Sequence, residues 1–206
     1  MTDKTANVVT ATLYGDRRDA LGGGGLTNYS LAWSTGDVQS TPAASTNGSF
    51  NRLGFGLSRL QQLSGPFSLY GGIKGQLVSR HLDSSEQMEL GGMYGVRAYP
   101  EGEAFGDQGY VLNLEARMLL PKFSLDMPGQ MQLIGFADTG TVSINKDAWG
   151  AGQNARTLSA AGVGLSWAEN DNFLVRAYYA HKLGDEVATA APDKSDRFWL
   201  QLVKYF

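Results

Sequence analysis

Two clusters of titratable side chains have the residue types that could bind a metal or move a proton. His81 lies close in sequence to Asp83, Glu86 and Glu89, and His181 to Asp185 and Glu186. Imidazole with carboxylates is a zinc-type ligand set, but neither cluster has a metal-site spacing. Both histidines flank expected loops, where titratable groups are ordinarily solvated. No nucleophile signature accompanies them. The four glycines Gly22 to Gly25 are not followed by the Lys-Ser/Thr and helix of a phosphate loop. With no cysteine in the chain, a disulfide framework and a thiolate metal site are both excluded. Neither catalysis nor a cofactor is therefore expected. The stretch that stands out is Gly91 to Glu115, GGMYGVRAYPEGEAFGDQGYVLNLE, where a glycine-rich loop carries one arginine, Arg97, into the cleanest alternating strand of the sequence.

The elements that must position Arg97 read as strands from one end of the chain to the other. From Gln108 onward the even positions Tyr110, Leu112, Leu114, Ala116, Met118 and Leu120 are apolar. Asn113, Glu115 and Arg117 take odd positions, so one face is greasy and the other charged. The same alternation, broken by turn signals, predicts about nine strands. They fall at 6–16, 26–35, 50–63, 67–80, 108–120, 130–144, 157–168, 173–183 and 197–206. Short turns at Gly22, Ser64, Pro121 and Asp171 alternate with longer loops beginning at Gln39, His81, Asn145 and Gly184. Loops sorted by length onto two rims are what a bacterial outer-membrane barrel shows. Trp33, Tyr110, Trp167 and Tyr179 are candidates for its interfacial girdle. Gly72, Gly75, Gly162 and Gly164 would leave room for an inserted loop.

Composition agrees. Of 206 residues, 18% are charged, 11% are aromatic and 27 are glycine, which suits a barrel whose outer surface meets something other than water. A net charge of -3 argues against a nucleic-acid partner, which calls for a basic patch. No apolar window of about 18 residues exists, so a spanning helix is excluded. The opening MTDKTANVVT lacks the charged-then-apolar layout of a signal peptide, so an export signal is expected outside this sequence.

The wording of the long loop carries a resemblance. VRAYPEGEAFGDQGY, the preceding LDSSEQMELGG, the following NLE and the later GFADTG are together similar to the two-partner (type V) secretion transporters. These are the haemolysin activator and filamentous-haemagglutinin transporter proteins, in the superfamily that also includes the outer-membrane assembly factor. The tetrad V-R-G-[FY] stands here as Val96, Arg97, Ala98 and Tyr99, with alanine at its third position. G-D-x-G stands as Gly106, Asp107, Gln108 and Gly109, and F-x-D-x-G has Phe136, Asp138 and Gly140 at its defined positions. The resemblance extends over residues 1–206 and implies the C-terminal part of a transmembrane β-barrel. Nine of sixteen antiparallel strands would be present, with the periplasmic POTRA domains and first strands absent.

It also implies roles. The loop 81–106 would fold into the barrel lumen and Arg97 would pair with Asp138. Asp138 shares a phase with Gln132 and Gly140, opposite Met131 and Leu133, which independently puts it on the wet side. A carboxylate facing lipid at mid-strand would cost on the order of a few kcal/mol. Lys74, Arg80, Glu115, Arg117, Arg176 and Lys182 fall on the inferred lumenal faces, as in an ordinary water-filled interior. The aromatic end of the last strand, Phe206, resembles the signal read by the barrel assembly machinery. The expected partners are outer-membrane lipid and a secreted haemolysin or adhesin. Two alternatives stand: an assembly factor that inserts other barrels, and a soluble β protein or passive barrel. The first and last strands of this chain would leave open edges, so an incomplete barrel is expected.

Overall fold

A computed structural model describes residues 3–41, 46–124, 126–148 and 152–206. Its strands are β1 (Asp3–Asp19), β2 (Gly25–Thr41), β3 (Gly48–Gln62), β4 (Phe67–Val78), β5 (Gln108–Leu119), β6 (Gln130–Ser143), β7 (Ala155–Glu169), β8 (Phe173–Lys182) and β9 (Asp196–Lys204). Each pairs antiparallel with the next in chain order, giving one nine-stranded sheet. All nine expected strands are present, and the all-β reading holds. Among the described residues, no helix is long and apolar enough to cross a membrane.

Alternation along each strand becomes two faces of the sheet because the register is continuous. Asn113 is paired with Asp138, Asp138 with Ala160, and Ala160 with Lys182. A slip of one residue anywhere would move a carboxylate or an ammonium to the opposite face. One face carries the 79–107 connection, which packs on residues of β5 to β8. The other is bare, and large apolar side chains stand exposed on it, among them Leu57, Leu69, Leu114, Leu133, Val163 and Leu200. Trp33, Tyr110 and Tyr179 are exposed with them, and Trp167 donates its indole N–H to the Pro128 carbonyl at 2.8 Å.

The loop-bearing face is not uniformly wet. Val111, Val142, Leu158, Ala160 and Ala180 form a dry cluster on it with Leu90, Val96, Ala98 and Tyr99 of the loop. Burying each Val or Leu of this cluster is worth about 1.5–3 kcal/mol, which is what seats a long connection that has no strand of its own.

Four expectations need correction. The sorting of connections by length is not strict, since 42–47 is shorter than 120–129. The β1–β2 ladder runs unbroken from Asp19 opposite Gly25 to Asp3 opposite Thr41, well past the expected strand end at residue 35 and into the first residues of what reads as a polar loop from Gln39. Arg80 lies beyond the end of β4, at the rim, where it donates to the Ser49 carbonyl. β9 ends at Lys204, so Phe206 lies outside the ladder and is fully exposed. Among the described residues, β1 is paired only with β2 and β9 only with β8, which leaves the sheet open as expected.

Candidate functional site

β6 supplies the floor of the site. Its even positions face the loop, so Phe136, Asp138 and Gly140 lie in a row beneath it. The loop itself turns sharply. Gly92 has φ +97°, and a Cβ at Gly95 would meet the carbonyl oxygens of both Leu90 and Gly91, so no side chain fits there. The Val96 N–H donates to the Leu90 carbonyl at 2.7 Å, and this turn points Arg97 at the sheet.

Arg97 is 3% exposed and Asp138 likewise. Its Nε and Nη2 donate to the two Asp138 oxygens at 2.8 and 2.7 Å, and its backbone N–H adds a third bond to Oδ2 at 3.2 Å. This is the bidentate fork that suits guanidinium to carboxylate. Nη1 donates to Glu115 at 2.7 Å, whose second oxygen accepts from Arg117 Nε at 2.8 Å. Asn113 completes the set, donating to Asp138 at 2.8 Å and to the Gly95 carbonyl at 2.9 Å. Two arginines and two carboxylates leave the buried group neutral overall. Its net contribution to stability is therefore small, although removing one member strands the others.

The guanidinium carbon lies 3.6 Å from the Phe136 ring centre and 4.9 Å from that of Tyr178. Room for both rings comes from β7. A Cβ on Gly162 would come within 2.5 Å of Phe136, and one on Gly164 would collide with Tyr178. These two glycines admit the rings that hold Arg97 and do not touch the loop directly. Gly75 opens the opposite, bare face to Phe55, and Gly72 lies under the Tyr70 hydroxyl; neither makes room for the loop. Gly140 does, since a Cβ there would stand 3.0 Å from Leu90.

The second motif ties down the base of the loop. Asp107 is fully buried and accepts from the backbone N–H groups of Leu82 and Lys146 at 3.0 and 2.6 Å, and from Gln87 at 2.9 Å. Leu82 and Gln87 share Oδ1, and His81 Nδ1 lies 2.8 Å from the Oδ2 that Lys146 bonds. Gly106 and Gly109 press against Val142 and Ser143 or Thr141 at the end of β6, where a Cβ would not fit. The residues grouped around His81 in sequence disperse: Asp83 pairs with Lys4, Glu86 with Arg52 at 2.8 Å, and Glu89 accepts from the Gly102 N–H at 2.7 Å. None of them is merely solvated. No group of three or more His, Cys, Asp or Glu among the described residues could hold a metal ion.

The cationic positions separate. Arg117 and Arg176 line a cavity of about 290 Å³ with Arg97, Glu115 and Tyr70. Lys74 stands exposed on the loop-bearing face opposite Val111. Lys182 pairs with Asp193 and lies 4.5 Å from the Tyr99 ring centre.

Sequence reasoning missed Glu103, Arg156 and Trp199. Trp199 donates its indole N–H to the Arg97 carbonyl at 2.7 Å. Glu103 is fully buried, takes Arg156 Nη1 at 2.6 Å, and is held by the 183–195 connection. Burial alone would push its carboxyl up, but bonds from the Ala190 N–H, Arg156 and Thr189 outweigh that and hold it below its ordinary value. Asp193 is also held low, by Lys182 and then by the Ala188 N–H. The partners of Glu103 are 53 to 87 positions away, which no local pattern announces.

Comparison with known proteins agrees with the motifs. A family model described as haemolysin secretion/activation protein ShlB/FhaC/HecB matches residues 7–167. The heme/hemopexin transporter protein HuxB of Haemophilus influenzae strain 86-028NP is 32% identical over 162 residues, covering 76% of this chain and 27% of HuxB. The same protein from strain ATCC 51907 gives the same identity and coverage. The chain thus spans about a quarter of the length of these curated relatives. Among solved structures, CdiB from Acinetobacter baumannii aligns at 18% identity with a TM-score of 0.47, over 98% of this chain and 42% of CdiB.

Proposed function

This chain belongs to the haemolysin secretion/activation protein family ShlB/FhaC/HecB, and we propose that it forms the C-terminal part of an outer-membrane barrel through which an unfolded exoprotein leaves a Gram-negative cell. The observation that carries this reading is the contrast between the two faces of one sheet. Arg97 is buried on Asp138 under an inserted loop, while the reverse face is left greasy and uncovered. A row of exposed Leu, Val, Trp and Tyr is costly in water and favourable in lipid. Unpaired strand edges are not tolerated in hydrocarbon, so β1 and β9 are completed by the remaining strands of a sixteen-stranded transporter.

In this reading the Arg97–Asp138 pair fixes the loop inside the lumen. Lys74, Glu115, Arg117, Arg176 and Lys182 line the wet passage, and Arg80 stands at its rim. Val96, Ala98 and Tyr99 pack the loop, Gly106, Asp107 and Gly109 anchor its base, and Phe136 and Gly140 receive it. Phe206 is presented to the barrel assembly machinery. The cargo in this reading is a haemolysin or adhesin; the similarity to the heme/hemopexin transporter protein HuxB supports a heme- or hemopexin-related cargo as an alternative. No ATP is available at the outer membrane, so folding of the cargo outside drives its passage. The family match favours export over the barrel-inserting role of the assembly factor that shares the loop motif.

The test is charge reversal, Arg97→Glu, in the complete transporter with its cargo. Export should be abolished while heat-modifiable migration of the barrel on a gel is retained. Unchanged export by this variant overturns the assignment.

A further inference from the structure

The inserted loop is held at a second place that shares no hydrogen bond with the Arg97–Asp138 pair. Glu103 Oε2 accepts the backbone N–H groups of Thr189 and Ala190 at 2.7 and 2.8 Å. Its Oε1 accepts the Thr189 hydroxyl at 2.9 Å and Arg156 Nη1 at 2.6 Å. Arg156, on β7, donates onward to Glu186 at 2.9 Å and to the Val187 carbonyl at 2.8 Å. Tyr99 donates its hydroxyl to the Glu186 carbonyl at 3.1 Å, and Ala188 joins the buried cluster around Tyr99.

The segment that receives these bonds, 183–195, crosses the long-loop end of the site. It is folded on itself, since Asp193 accepts the Ala188 N–H at 2.8 Å, so it can move as one body. At its root Gly184 has φ +95° with open space around it, a conformation that glycine adopts freely.

We propose that 183–195 is a strap closed over the inserted loop and that Glu103 is its catch, a positioning residue that must let go before the loop can shift for cargo to pass. What the strap gates rests on the export reading; that Glu103 holds it shut does not. A fully buried carboxylate with four donors is a strong catch and a switchable one. Removing its charge leaves two backbone N–H groups and a guanidinium without an adequate acceptor.

The experiment has two arms, both in the complete transporter. In the first, Ala188→Cys is labelled with a maleimide with and without Glu103→Gln. Release of the strap should raise the labelling rate about tenfold or more, the effect of losing a charged, buried hydrogen-bond acceptor. An unchanged rate overturns the catch. In the second, Gly102→Cys and Ala190→Cys are combined. A Cβ at Gly102 stands 3.9 Å from that of Ala190, the separation found across a disulfide, and this chain has no other cysteine. This variant keeps Glu103 intact, so it tests the gate even if Glu103→Gln assembles poorly. The oxidised protein should fail to export and recover on reduction. Normal export by the oxidised, cross-linked protein overturns the strap as a gate. If the unmodified transporter exports nothing while Glu103→Gln still accelerates labelling, the export reading falls and the catch stands.

Discussion

The guanidinium carbon of Arg97 stands 3.6 Å from the centre of the Phe136 ring, two positions before the carboxylate that the same guanidinium grips. The F-x-D-x-G strand therefore offers Arg97 both a negative ring face and an anion, which explains why an aromatic and an aspartate are spaced by two on one face of β6. Away from water such a contact contributes about 2 kcal/mol. Phe136→Leu should loosen the loop by about that amount while leaving the Asp138 pairing in place. Faster hydrogen exchange at the Val96 and Tyr99 amides, with the sheet amides unchanged, is the expected result.

The two carboxylates are not equivalent. Asp138 receives three bonds from Arg97 and one from Asn113, whereas Glu115 receives one from Arg97 and is shared with Arg117. Asp138→Asn should therefore unseat the loop at a cost of about 3–5 kcal/mol, the usual penalty for stranding one member of a buried ion pair. Glu115→Gln should cost clearly less. Protease cleavage within 91–106 measures both, and equal cleavage of the two variants contradicts the ranking.

Gly162→Ala tests the support beneath Arg97 without touching the loop. The added methyl would come within 2.5 Å of the Phe136 ring, and overpacking of this kind costs about 1–3 kcal/mol. Gly135→Ala, where nothing stands within 4 Å of the new methyl, should be silent. Thermal melting in detergent compares the two.

Acid should open the strap. The Glu103 carboxyl is held below its ordinary value of 4.5, and that of Asp193 below 3.8. A carboxyl depressed in the folded state contributes stability that is present above its unfolded value and lost as pH falls through the folded one. Both act in the same direction, and the groups facing Glu103 and Asp193, Arg156 and Lys182, are cationic. Ala188→Cys labelling should thus be flat from neutrality down to about pH 5 and rise below it, with a smaller rise in Glu103→Gln, where Asp193 alone still titrates. A rise that begins near neutrality would assign the opening to other groups.

What the amino-acid order determined by itself is everything with a period of two. Nine strands, their faces, and the phase that puts Asp138 beside Gln132 and away from Leu133 were legible because successive side chains alternate across a strand. The three motifs were legible because each is contiguous. The lengths of the β1–β2 ladder and of the loop from Gln39 were not, because pairing continues for as long as a partner strand is alongside, and polar residues at an edge do not stop it. Nor was the dry patch around Tyr99, since Val111 and Val142 become buried only when the loop lies on them. Glu103 and Thr189, 86 positions apart, meet because one connection folds across the sheet and another closes over it. Such a contact depends on strand stagger and loop path, which only the assembled tertiary structure sets.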